Sequence, residues 1–183
     1  MRAEDVSSDL RSVLVTEEEI LARLEEIAAE VAEDYRDKNL LLVGVLKGAV
    51  MVMADFARAL PMLVPMDWMA VSSYGAGTKS SGAVQIRKDL DSDLHGRDVL
   101  IVEDIIDSGL TLSWLLENFT SRGAASVEVF ALLRKPDAAK VEVRSKYVGF
   151  DIPNDFVVGY GLDYAEKYRN LRDVAVLAPH VYL

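Results

Sequence analysis

The residues of this sequence best suited to chemistry are Glu103-Asp104-Ile105-Ile106-Asp107-Ser108-Gly109-Leu110-Thr111. They follow an apolar run at 99–102, which reads as a buried strand beginning at Asp98 and ending on the two carboxylates. Adjacent carboxylates repel each other. At the end of a strand they are tolerable when they face a cation, directly or through water, or a polyol. The residues after Ser108 read as a helix, and a helix start offers free backbone N–H groups and the positive end of a dipole, which together hold a phosphate. Gly109 permits close backbone approach. Ser108 and Thr111 add hydroxyl donors. One loop therefore combines a phosphate cradle with an acidic pair for a diol or a metal, the two features found at the ends of a phosphorylated ribose. The ordinary alternative is a helix cap at Asp107 or Ser108, which leaves Glu103-Asp104 unexplained.

The elements that must position this turn follow from periodicity. Thr16 with Glu19 three residues on forms a capping box. Ile20, Leu24, Ile27, Ala28 and Val31 then recur at helical spacing. Residues 40–46 read as a buried strand, interrupted by Lys47-Gly48, and 49–60 as a helix ending before Pro61. A second strand is expected at 66–72. Residues 74–82 (YGAGTKSSG) have the composition of a mobile loop, and 83–87 form a strand after it. Leu112, Leu115, Leu116 and Phe119 mark the buried stripe of a helix over 109–122, stopped by Gly123. Another strand covers 126–133. Short apolar pieces follow at 147–150, 156–160 and 174–177. The order strand, helix, strand, repeated, predicts an α/β fold with a mainly parallel sheet flanked by helices. In such sheets ligands sit beyond the carboxyl ends of the strands, so chemistry is expected in the loops after Leu46, Glu103 and Leu133. Residues 1–183 read as one domain, with 1–12 polar and frayed.

Composition narrows the function classes. The 183 residues carry a net charge of −10 and no cysteine. Disulfides, thiolate metal sites and cysteine nucleophiles are excluded, and the chain fits a reducing compartment, the cytoplasm. An acidic chain without a dense basic run argues against nucleic-acid binding. No apolar run is long enough to span a bilayer, and MRAEDVSSDL lacks the apolar core of a signal peptide. A phosphorylated substrate would require local cations or a bound metal to overcome the protein's own field.

With these residues in view, VLIVEDIIDSGLTL closely resembles the signature with which type I phosphoribosyltransferases bind 5-phosphoribosyl-1-diphosphate (PRPP), and EDIIDSG is most similar to the hypoxanthine–guanine branch. The resemblance covers nearly the whole chain from about residue 13. It implies that Glu103 and Asp104 address the ribose hydroxyls and Mg²⁺. Asp107, Ser108, Gly109, Leu110 and Thr111 wrap the 5′-phosphate, and Asp107 is also the general base at N7 of the purine. Some relatives carry Lys where this chain has Leu110, so a side-chain role there is lost. Leu46-Lys47-Gly48 looks like the family's diphosphate loop, in which the peptide after the leucine can be cis. A solvent-facing lysine is the alternative reading. Ser73 and Tyr74 look like the start of an active-site lid closing over the diphosphate; a flexible hairpin tip would look the same.

The resemblance also supplies a purine half. Lys135 matches a lysine that donates to the 6-oxygen of hypoxanthine or guanine and disfavours adenine. Phe156 would stack on the base and Val157 would read it through backbone groups, although Phe156 alone would pass for core. By resemblance Asp163 binds a second Mg²⁺ beside the purine and Arg169 binds diphosphate. On one regular helix these two would point to different sides, so they converge only if the segment turns. His95 and His180 fit no site pattern. The activity implied is purine salvage with Mg²⁺ as cofactor, in a small N- and C-terminal hood over the base site, by a homodimer or homotetramer. A xanthine-preferring enzyme and a PRPP-sensing regulator of the same fold are the alternatives.

Overall fold

The structure is a computed structural model that describes residues 1–73 and 84–182. Tyr74 and the rest of the expected mobile loop, 74–82, lie outside the described residues. A six-stranded sheet runs in the order β4-β3-β2-β5-β6-β7, where β2 is Leu40–Leu46, β3 Met66–Ser73, β4 Val84–Lys88, β5 Asp98–Ile106, β6 Ser126–Arg134 and β7 Tyr147–Asp151. Five of these strands are mutually parallel, and β4 returns antiparallel to β3. This is the mainly parallel α/β architecture that the alternation of strands and helices predicts.

The sheet is buried on both faces because the middle of each central strand is an apolar run, and alternation sends successive residues to opposite sides. Leu40, Leu42, Leu100, Val102, Phe130 and Leu132 pack against helices α1 (Glu17–Asp34) and α2 (Val50–Ala59). Leu41, Val43, Val99, Ile101, Val129 and Ala131 pack against Leu112, Leu115 and Phe119 of α3 (Leu110–Ser121). Helix α1 begins with the expected capping box: Thr16 N–H donates to Glu19 at 2.8 Å, and Glu19 N–H donates back to the Thr16 hydroxyl at 3.3 Å.

Two expectations are corrected. Strand β5 does not end at Glu103 but runs on to Ile106, because its pairing with β6 continues through Ile105↔Leu133 and Ile106↔Arg134. Residues 1–12 are not frayed. Ala3–Asp9 form 3₁₀ turns, and β1 (Leu10–Val15) pairs antiparallel with β9 (Val174–Leu177). β9 also pairs with the two-residue β8 (Val157–Val158), giving a second sheet in the order β1-β9-β8. Arg11-Ser12 interrupt its apolar residues and burial along β1 is partial, so backbone pairing with a distant strand defines it. This small sheet is the hood, and Val157, Val174 and Val176 dock it onto the α1–α2 side of the main core.

Candidate functional site

The carboxyl ends of β2, β3 and β5 open onto a cavity of about 420 Å³. Its floor is Glu103 and Asp104, and its rim is the turn from Asp107 to Thr111. Glu103 is buried, and burial, reinforced by the charge of Asp104, pushes its carboxyl well above the usual range. Burial likewise pushes Asp104 up to about 6, although the Ile105 N–H at 2.8 Å and the charge of Arg169 pull the other way. Ionising both carboxyls of this floor is therefore costly unless a cation accompanies them. A buried and a half-buried carboxylate beside a candidate phosphate cradle fit Mg²⁺, which takes one or two carboxylates together with substrate oxygens rather than a full protein cage. Among the described residues no group of three or more His, Cys, Asp or Glu forms such a cage.

The rim has the geometry of an anion site. Gly109 precedes α3 with φ +80°, and no side chain caps the helix; the contact nearest to a cap is Leu110 N–H to the Ser108 hydroxyl at 3.4 Å. Ser108 thus engages one donor of α3 with a long bond and Asp107 engages none, which leaves the other donors of the first turn for a ligand. A Cβ at Gly109 would stand 2.6 Å from the Val141 carbonyl, so the turn is pressed against the 140–141 backbone, whose N–H groups both donate to Ser108 O.

A third wall comes from the loop after β2. The peptide Leu46–Lys47 is cis. Gly48 lies against Asp104 so closely that a Cβ there would fall 1.8 Å from Oδ2. Gly161, at φ +101°, presses on the other side: a Cβ at Gly161 would fall 2.0 Å from Gly48 O. These contacts join the sheet to residues 159–171, which wind through five positive-φ residues besides Gly161, Tyr160 and Glu166 among them. Because the segment turns, Asp163 and Arg169 converge, with Arg169 Nη2 2.8 Å from Asp163 Oδ1. Arg169 also donates to Gly161 O at 2.7 Å. The sequence did not reveal Glu166, whose carboxylate accepts from Lys47 Nζ at 3.0 Å and lies 3.5 Å from Arg169. Lys47 and Arg169, 122 positions apart in the chain, thereby share one acidic partner.

On the opposite flank, Lys135 is buried at the end of β6, with its Nζ 3.9 Å from Asp107 Oδ2. Asp107 itself is exposed. In the hood Val157 is buried, whereas Phe156 is 41% exposed, so the reading of Phe156 as plain core is corrected. Ser73 ends β3, where its backbone pairs with Val84; the lid residue Tyr74 lies outside the described residues. His95 and His180 are exposed and away from the cavity lining, as expected.

A parallel α/β sheet with a phosphate turn, an acidic floor and a hood defines the phosphoribosyltransferase class. The chain belongs to that family: the Phosphoribosyl transferase domain matches residues 13–165. It is 57% identical over 186 aligned positions to the hypoxanthine-guanine phosphoribosyltransferase of Mycobacterium bovis, covering 98% of this chain and 92% of that protein. It is 52% identical to the protein of the same name from Bacillus subtilis, over 95% of this chain and 97% of that one. The crystal structure of a hypoxanthine phosphoribosyltransferase from Staphylococcus aureus superposes with a TM-score of 0.94 at 47% identity, covering 97% of each chain.

Proposed function

We propose that this enzyme serves purine salvage by transferring the 5-phosphoribosyl group of PRPP to N9 of hypoxanthine or guanine, releasing diphosphate. The observation that carries this reading is the pairing of a buried lysine with an exposed carboxylate at the mouth of the phosphate turn, Lys135 and Asp107, 3.9 Å apart. A 6-oxopurine presents an acceptor oxygen and the adjacent N7 on one edge. Lys135 can donate to the oxygen, and Asp107 can hold the proton at N7. An adenine edge presents an amino group instead, which a lysine cannot serve.

The remaining residues take complementary roles. Ser108, Gly109, Leu110 and Thr111 hold the 5′-phosphate by backbone and hydroxyl donors. Glu103 and Asp104 orient the ribose hydroxyls and are the residues that would hold Mg²⁺, and Asp163 would hold a second Mg²⁺. Mg²⁺, when bound, supplies neutralisation of the leaving diphosphate. Lys47, Gly48 and Arg169 hold the diphosphate, Phe156 stacks on the base, and the Val157 backbone reads it. Charge at the anomeric carbon develops as in glycoside chemistry, so positioning and electrostatics carry the catalysis. Closure by Ser73 and Tyr74 would shield that carbon from water.

No helix among the described residues is long and apolar enough to cross a membrane, and a cysteine-free chain fits the cytoplasm. Fully exposed Leu63, with Met66 nearby at 51% exposure, supports assembly into a homodimer or homotetramer. The decisive assay incubates the protein with PRPP, Mg²⁺ and one base at a time and follows diphosphate release. Hypoxanthine and guanine should turn over and adenine should not. Release with xanthine alone would move the assignment to a xanthine-preferring enzyme, and release with none would leave a PRPP-binding protein.

A further inference from the structure

The ring of Phe156 is held by two other aromatics. Its centroid lies 5.0 Å from that of Tyr182 with the planes 21° apart. It lies 5.7 Å from Tyr164, edge-on at 86°, and Tyr164 and Tyr182 meet at 6.5 Å and 66°. Stacked and edge-to-face contacts are the arrangements that aromatic quadrupoles favour. The three rings form a closed set, yet Phe156 keeps 41% of its surface open.

We infer that Tyr182 is a positioning residue for the purine platform: stacked on Phe156, it fixes the plane in which that ring receives the base. The inference rests on the reading of Phe156 as the stacking residue. Tyr182 is itself seated independently of Phe156, against the buried group of Val158, Leu171 and Leu177, on which Val6, Leu10 and Val181 also pack. That group is tied together by Asp9, which accepts from Ala178 N–H through its carbonyl and from the Tyr168 hydroxyl through its carboxylate, each at 2.8 Å. Residues 3–10, which composition alone reads as frayed, thus brace the side chain that braces the platform. A half-exposed phenylalanine would otherwise lose rotamer freedom each time it ordered against a base. A ring already held by a neighbour loses less, and the difference appears in base affinity. The contact needs an aromatic plane and not the phenol hydroxyl, so Phe can replace Tyr at this position.

The test uses the full chain with Tyr182→Ala, Tyr182→Leu and Tyr182→Phe, and measures KM for hypoxanthine and guanine separately from KM for PRPP. Loss of one aromatic pair should raise the base KM about two- to tenfold in the Ala and Leu variants. The PRPP KM should stay in place, and Tyr182→Phe should restore the base KM. Tyr182→Leu keeps apolar bulk in the hood, so it carries the test should the Ala variant fail to fold. A fall in base KM would mean that Tyr182 occupies the place of the base, which overturns the inference. So would an equal rise in both KM values, or a rise that Tyr182→Phe does not repair. Wild-type protein that turns over neither base overturns the functional reading and this inference with it. Wild-type turnover with an unmoved base KM in the Leu variant overturns the inference alone.

Discussion

Replacing Asp104 by Asn should stabilise the ligand-free protein at neutral pH and remove its activity. Asp104 sits at the floor of the site with its carboxyl raised from 3.8 to about 6, chiefly by burial. That rise corresponds to about 3 kcal/mol between the protonated and ionised forms. Between these two values the folded chain binds the proton more tightly than the unfolded chain does. Stability is therefore lost as pH rises through the window, and the full cost is present above about pH 6. Asn has no proton to lose, and its Oδ1 can still accept from Ile105 N–H, the bond that measures 2.8 Å in the present protein. The variant should match wild type near pH 4 and exceed it by up to about 3 kcal/mol at pH 7.5, a shift of about 1–2 M in the urea midpoint. Unfolding would be followed in chelator without PRPP at several pH values. Adding Mg²⁺ and PRPP should then stabilise wild type far more than the variant, since a ligand stabilises only the fold that binds it. A variant no more stable than wild type at pH 7.5, or an advantage equally large at pH 4, would refute the reasoning.

Asp107→Asn should lower kcat by about 10²-fold or more if Asp107 is the general base, with PRPP affinity by calorimetry little changed; equal loss of both would remove that role. Lys135→Met should raise KM for hypoxanthine and guanine by about 10-fold or more, the loss of one charge-assisted hydrogen bond, and leave KM for PRPP in place. Gly161→Ala should cost at least about 1–3 kcal/mol in unfolding experiments, because its Cβ would fall 2.0 Å from the Gly48 carbonyl at a φ of +101°, and should weaken diphosphate binding together with stability. Leu63→Glu with Met66→Glu should shift the protein toward monomer in sedimentation equilibrium, and an unchanged mass would separate that apolar face from assembly.

What the sequence revealed and what it hid divide along physical lines. Strands β2, β5 and β6 were legible because each carries a run of at least four consecutive residues without a charge, and α1 because its cap and its stripe agree. The end of β5 was misplaced by three residues because Glu103 and Asp104 look like a boundary, whereas backbone pairing with β6 ignores their charge. β1 was missed since Arg11-Ser12 break its apolar residues and it is fixed by a partner strand about 160 positions away. The phosphate turn was legible as chemistry before any resemblance was considered. Glu166 and Tyr182 were not: neither belongs to a local pattern, and each is placed by the path of residues 159–171 or by the packing of the hood. The convergence of Asp163 with Arg169 depended on that same path, which a helical reading would have forbidden.

An acidic protein that binds a polyanion must gather its few cations where the anion lands, and in this fold they arrive from distant parts of the chain. Lys47 leaves β2, Arg169 leaves the turn segment after β8, and both meet Glu166. A carboxylate shared by two cations stands where diphosphate oxygens are proposed to lie, so binding exchanges one anion for another instead of assembling the cations afresh. The Lys47–Glu166 pair is exposed and screened by solvent, so the exchange costs little. The carboxylates Glu103 and Asp104 work in the other direction. Their raised affinity for protons reflects chiefly the cost of holding charge away from water. A substrate that brings a divalent cation offsets that cost, whereas a bare polyanion adds to it. The net charge of −10 and the proposed choice of a metal-bound phosphorylated sugar are therefore one property of the chain rather than two in conflict.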